Sequence, residues 1–330
     1  MVDYATMDQT QRPAMFKALF SVIVWGASFV ATKIALRDVS PVTVVWLRFA
    51  MGVIILGGVV WVRKQLRWPE KEDWLYFGLL GFLGIAFHQW LQSTGLITAR
   101  AVTTGWIIAS TPVFMALLSW LFLKEKLTWL QILGISLAAF GVLLVITKGN
   151  FSSLFSGHFG SIGDLLILIS APNWAIFSTL SRRGLQKYKA AQMMFYVMSF
   201  GWLFSSILFL SSGKFYQVQD LSTNGWLAVS FLGIFCSGIA YIFWYDALQV
   251  LPVAQTGAFL YFEPVVTLIV AGLVLGEAIF FAGLLGGAII LCGVWMVNRK
   301  TSQKKVDISR TTIWRSFLPE EINNWLSGRH

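Results

Sequence analysis

Thr104–Phe114 reads TGWIIASTPVF, and Thr256–Val266 reads TGAFLYFEPVV. Each opens with Thr-Gly, runs through six residues and closes on Pro-Val, and the two lie 152 positions apart. They differ where it matters chemically: Glu263 precedes the second proline, whereas Thr111 precedes the first. The same offset of 152 pairs Leu121 with Leu273, Glu125 with Glu277, Gly134 with Gly286, Gly141 with Gly293 and Val142 with Val294. An offset of 149 pairs Trp25 with Trp174, Lys33 with Arg182, and Phe82-Leu83-Gly84-Ile85 with Phe231-Leu232-Gly233-Ile234. Apolar residues match by chance in any hydrophobic chain. Glycine, proline and glutamate held in register do not, so the chain reads as a tandem duplication.

Composition names the solvent. The 330 residues are 57% hydrophobic and 12% charged, with mean hydropathy +0.70. Soluble domains carry about 25% charge, and a chain this apolar needs lipid around it. Its 16 tryptophans and 27 phenylalanines suit rings placed at membrane interfaces. The net charge of +10 sits in loops between apolar spans, which excludes a nucleic-acid-binding face. Cys236 and Cys292 both fall inside apolar spans, which argues against a disulfide or a metal site. The first apolar stretch, Phe16 to Leu36, is too long for a signal-peptide core and is read as a retained helix.

Ten segments reach the roughly 20 apolar residues that a spanning helix needs: 14–36, 41–62, 74–97, 102–123, 128–147, 161–182, 190–211, 224–247, 253–275 and 279–297. The expected fold class is therefore an all-α integral membrane protein with ten transmembrane helices. Its organisation is an N-terminal segment (1–13), a five-helix repeat (14–147), an outer linker (148–160), a second repeat (161–298) and a tail (299–330). With the N-terminus inside, inner segments collect most of the lysine and arginine. Outer loops hold only Lys33, Arg37, Arg100, Lys148 and Lys214. That bias predicts both termini to be cytoplasmic. The tail carries Ile313, Trp314, Phe317, Leu318, Ile322, Trp325 and Leu326. An amphipathic helix on the inner membrane face and a disordered tail are both open readings.

Five is odd, so the second copy must enter the membrane in the opposite sense. Inverted repeats are a recurrent architecture of alternating-access transporters, with the substrate site near the midplane between the halves.

The residues also resemble a family. Trp25-Gly26-Ala27-Ser28-Phe29 with Lys33, and Pro41 followed by Trp46-Leu47-Arg48-Phe49, look like the opening of EamA-type carriers of the drug/metabolite transporter superfamily. The two Pro…Glu…Gly…Gly-Val endings, Pro112–Val142 and Pro264–Val294, look similar too, and the resemblance covers residues 14–298. It implies a ten-helix carrier with a central cavity lined by helices 1–4 and 6–9, helices 5 and 10 being peripheral. Amino acids, other small metabolites and drugs are the family's substrates, often moved outward.

Candidate site residues follow from depth and chemistry. Glu263 lies about ten residues into the ninth segment, about 15 Å deep at 1.5 Å per residue. A carboxylate there costs at least about 3 kcal/mol unless paired or hydrated. It is read either as a contact for a substrate ammonium or a proton, or as structural, in an ion pair or as a carboxyl kept neutral by burial. Arg48, about 10 Å into the second helix, suits a substrate carboxylate, a pairing with Glu263, or snorkelling. Together, Arg48 and Glu263 suit a zwitterion. Polar and aromatic lining is expected from Trp25, Ser28, His88, Gln89, Asn173 and Trp174, with Trp106, Tyr241 and Tyr261 as weaker candidates. Gly105, Pro112, Gly257 and Pro264 are candidate hinges, because proline frees a backbone carbonyl one turn earlier. Lys33 is a candidate gate contact. Glu125, Glu277 and Asp246 read as interfacial caps or salt bridges.

No phosphate-binding loop is present, so ATP does not drive transport from this chain. No zinc-type motif or histidine cluster suggests a metal, and no cofactor is expected. The expectation is a secondary transporter, multi-pass in a bacterial inner (plasma) membrane. It would move small metabolites, amino acids first, outward by alternating access, as a monomer or homodimer with no nucleic-acid partner. Export of drugs, nucleobases or sugar derivatives is the alternative. A channel or a membrane enzyme fits less well, since an enzyme needs clustered acid/base or metal groups at one interface.

Overall fold

The computed structural model describes residues 11–123, 127–151, 160–251, 256 and 259–298. Gly257, Glu125, His158 and the tail lie outside the described residues. Among the described residues every regular element is helical and no strand occurs. The apolar segments are α1 (Gln11–Ala35), α2 (Pro41–Val62), α3 (Lys71–Gly95), α4a (Ala101–Ile108), α4b (Thr111–Leu123) and α5 (Trp129–Ile146). They continue as α6 (Ile162–Lys187), α7 (Ala190–Ser211), α8 (Thr223–Val250), α9 (Leu260–Leu275) and α10 (Phe281–Asn298). Among the described residues eight helical spans, α4a running into α4b counted as one, are long and apolar enough to cross a membrane, and α9 and α10 are shorter apolar helices. Large side chains such as Trp61, Trp129 and Leu273 point outward unburied, as lipid-facing residues do.

Two expected helices are interrupted, each in the same place in both copies. The third helix of each half contains a π-helical stretch, Phe82–Phe87 in α3 and Phe231–Ile239 in α8. These are the stretches that share Phe-Leu-Gly-Ile. A π turn misaligns carbonyls from their ordinary donors. Here a side chain from the other half collects one: Asn173 Nδ2 donates to the Leu83 carbonyl at 2.8 Å, and Trp25 Nε1 to the Cys236 carbonyl at 3.2 Å. The fourth helix of each half breaks just before its proline. Pro112 has no N–H for the Ile108 carbonyl, which instead accepts the Thr111 hydroxyl at 2.6 Å. In the second copy the Leu260 carbonyl accepts the Glu263 N–H in a tight turn. The prolines therefore open a fresh helix rather than bending a continuous one.

The fifth helices show how the halves meet. A methyl placed on Gly134 would lie 2.6 Å from the Gly293 carbonyl, and one on Gly141 2.7 Å from that of Gly286. Only glycine lets the backbones approach this closely. Gly134 is the repeat equivalent of Gly286, and Gly141 of Gly293. The contact is reciprocal, and it is antiparallel, because the higher-numbered glycine of α5 meets the lower-numbered one of α10. Such self-complementarity is what a two-fold interface produces.

Candidate functional site

Between the halves lies a cavity of about 60 Å³. One buried water needs at least about 10–15 Å³ by the same measure, so the space is a few waters wide in this conformation. α1 gives Trp25, Ser28 and Phe29; α2 gives Arg48; α3 gives His88, Gln89 and Gln92. Ile108 and Thr111 come from the break in α4, Trp174 from α6, Tyr241 from α8, and Leu260 and Glu263 from α9. α7 contributes no lining residue; it braces α2 and α3 from behind, with Met198 against Gly52 and Gly201 against Gly81. Several lining residues are repeat equivalents of one another: Trp25 and Trp174, Ile108 and Leu260, Thr111 and Glu263. The cavity thus sits where the two copies converge.

Arg48 is buried, 4% exposed, and all its partners are neutral. Its Nε donates to Ser237 Oγ at 3.0 Å, one of its terminal nitrogens to Gln89 Oε1 at 2.9 Å, and its guanidinium lies 5.0 Å from the Phe49 ring centre. Ser237 lies within the π stretch of α8, and Gln89 follows that of α3, so both interruptions serve the same guanidinium. Glu263 is 9% exposed, and its carboxylate has no hydrogen bond or ion pair among the described residues. Its backbone is fixed instead. Thr267 Oγ1 shares its proton between the Gly26 and Glu263 carbonyls, at 2.8 and 2.9 Å, and a methyl on Gly26 would meet the Glu263 carbonyl at 2.7 Å. The site therefore holds a guanidinium solvated by neutral groups and a carboxyl that has no partner among the described residues. They do not neutralise each other.

The walls are aromatic. Trp25 packs edge-on against Tyr241 with ring centres 5.5 Å apart and tilts onto Trp244 at 5.3 Å. His88 lies 4.9 Å from Trp174, and its Nδ1 is buried with no hydrogen-bond partner among the described residues. Among the described residues, no three His, Cys, Asp or Glu side chains come together.

The structure brings Trp25, Ser28, Arg48, His88, Gln89, Trp174, Tyr241 and Glu263 to one cavity. Three candidates lie off it. Asn173 is occupied with the Leu83 carbonyl. Trp106 packs against Gly287 of α10, and Tyr261 lies partly buried against the apolar cluster of α4, α5 and α10. Gly105 is a contact point, where a methyl would lie 3.1 Å from Thr267 Cβ. Lys33 sits at the far end of α1, its Nζ 2.5 Å from the Ala99 carbonyl and 4.0 Å from Glu277. Sequence reading missed Gln92 and Ser237. Gln92 is one turn after His88, and Ser237 is the offset-149 equivalent of His88, so the repeat itself carried the signal.

A helical membrane chain built of two like halves around a polar, aromatic-walled cavity has the form of a carrier. Comparison with known proteins identifies which kind. The pattern of the EamA-like transporter family matches residues 12–147 and again 161–299, so this chain belongs to the EamA-like transporter family, within the drug/metabolite transporter superfamily. An uncharacterized transporter of Archaeoglobus fulgidus is 27% identical over 86% of this chain and 96% of its own length. A probable terminal-alkyne amino-acid exporter of Streptantibioticus cattleyicolor is 27% identical over 90% of this chain and 97% of its own. One crystal structure, at 21% identity, superposes with a TM-score of 0.62 over 89% of this chain and all of the other, and so shares the fold.

Proposed function

We propose that this transporter exports small zwitterionic metabolites, amino acids first among them, across a bacterial inner membrane by alternating access, with the cavity as its substrate site. One observation carries this reading: Arg48 and Glu263 face one cavity without neutralising each other. A buried charge left without a counter-ion is costly. A substrate α-carboxylate at Arg48 and an α-ammonium at Glu263 would complete both. Guanidinium presents a planar fork to a carboxylate. The α-helical part of α9, which begins at Glu263 after the tight turn, and α4b, which begins at Thr111, point two helix N-termini at the same space, as in carriers with broken helices. The reciprocal antiparallel α5–α10 contact supports ten crossings in two inverted halves, and the lysine and arginine bias supports cytoplasmic termini. The exporter named among the relatives supports the substrate class.

Uptake of a labelled amino-acid panel into proteoliposomes, with and without a pH gradient, tests the reading. Saturable uptake is expected, with Arg48→Gln and Glu263→Gln each lowering apparent affinity at least about ten-fold, the loss of one charge-assisted contact. Unchanged affinity in the double variant would end the zwitterion reading. A second reading, an amphipathic organic cation, has the aromatic walls and Glu263 in its favour. It predicts that Glu263→Gln abolishes transport while Arg48→Gln does not.

A further inference from the structure

α1 carries a lysine near each end. Lys17 and Lys33 are separated by about 24 Å along the helix at 1.5 Å per residue, and the cavity residues Trp25 and Ser28 lie between them. Each lysine faces an acid of the second half, Lys17 in direct contact and Lys33 at longer range while it donates to the Ala99 carbonyl. At one end, Lys17 Nζ pairs with Asp246 of α8 at 2.8 Å, and Arg63 at the end of α2 pairs with the same carboxylate at 3.2 Å. At the other end, Glu277, just past α9, faces Lys33 at 4.0 Å and Arg100 at 3.7 Å. The Glu277 carboxylate also accepts the Ala101 and Val102 N–H groups at 3.0 and 3.1 Å, capping α4a. Gly276 places Glu277 there: its left-handed backbone, φ 63°, ends α9 and lets the Glu277 N–H reach back to the Ala271 carbonyl at 3.2 Å.

The pattern is the same at both ends: one acid of the second half, one lysine of α1, and one arginine of the first half. The acids' side chains are 16% and 10% exposed. That is an intermediate depth. A fully exposed pair contributes almost nothing, and a fully buried one costs too much to separate. A pair covered only when the halves meet is stable closed and hydratable open.

We propose that Asp246 and Glu277 are the two gate residues of the transport cycle, clasps that hold the halves together on opposite sides of the cavity. Both are closed in this structure. Opening the cavity to one side releases one clasp while the other holds, with α1 as the rod between them. The proposal rests on the alternating access proposed above and not on the substrate.

The test uses Gln92→Cys, a cavity position, in a Cys236→Ala/Cys292→Ala background, labelled with a membrane-impermeant maleimide in right-side-out and inside-out vesicles. Glu277→Gln keeps an acceptor for the α4a amides but loses the charge. It is expected to raise labelling from the outside about five-fold and lower it from the inside, the scale of a weak ion pair. Asp246→Asn is expected to do the reverse. Lys33→Gln and Lys17→Gln cut the same clasps from the α1 side and should shift labelling in the same senses, so one poorly folding variant does not decide the result. Unchanged labelling, or a shift in the same sense for both clasps, overturns the proposal. Opposite shifts with both signs reversed keep the clasps and overturn the assigned orientation in the membrane.

Discussion

Gly26→Ala tests the crossing that positions Glu263. The added methyl carbon would lie 2.7 Å from the Glu263 carbonyl oxygen and 2.8 Å from Val266 Cβ. Carbon–oxygen contacts settle at about 3.3–3.6 Å, so α9 must withdraw from α1 by about 0.6–0.9 Å. The obstacle is backbone, which has no rotamer to swing aside. Overpacking of this kind costs about 1–3 kcal/mol, and the withdrawal stretches the Thr267 bond to Gly26 and carries Glu263 with it. The purified variant should melt below the parent in detergent and show reduced substrate affinity in proteoliposomes. Val266→Ala added to it should restore little, because the carbonyl contact remains. Gly58→Ala is the control: its methyl meets nothing within 4 Å, and replacing a helical glycine gains about 0.5–1 kcal/mol. If Gly26→Ala matches Gly58→Ala in melting and transport, the account of how Glu263 is held is wrong.

Asn173→Ala removes the donor to the displaced Leu83 carbonyl. It should cost about 1 kcal/mol of thermal stability while leaving substrate affinity near that of the parent, since Asn173 does not line the cavity. A loss of affinity without a loss of stability would return Asn173 to the substrate site. Tyr188 lies between α6 and α7, where burial, and then its hydrogen bond to Asp73, pushes the phenol above its ordinary value of 10. A proton held more tightly in the folded state gives stability that is present below pH 10 and lost as pH rises through the folded value. The parent should therefore lose stability in that alkaline window, and Tyr188→Phe should show a smaller alkaline loss in a melting series against pH. Equal slopes would refute it.

The apolar segments and the duplication were legible because both are written in residue type: hydropathy for the segments, and glycine, proline and glutamate in register for the repeat. The breaks before Pro112 and Pro264 followed from a missing N–H. The π stretches were not legible as such, because a shift from four-residue to five-residue spacing has no residue signature. Only the repeated Phe-Leu-Gly-Ile marked the place. Arg48 and Glu263 could be placed at depth by counting residues, yet whether they paired depended on Ser237 and Gln89, far away in the chain. Glu277 read as an interfacial cap or ion pair, and it is both. That it caps a helix of the other half is a fact of tertiary structure that spacing does not encode.

The reciprocal glycines of α5 and α10 make each half a natural mate for the other. Gly134 meets Gly293 and Gly141 meets Gly286 with no side chain intervening, so recognition is written into backbone shape rather than into the covalent join. Two separately expressed chains, divided within 148–160, should find each other in the membrane through that seam and rebuild the cavity. The connecting segment would then serve to set the ratio of the two pieces at one to one, and the seam to decide how they fit.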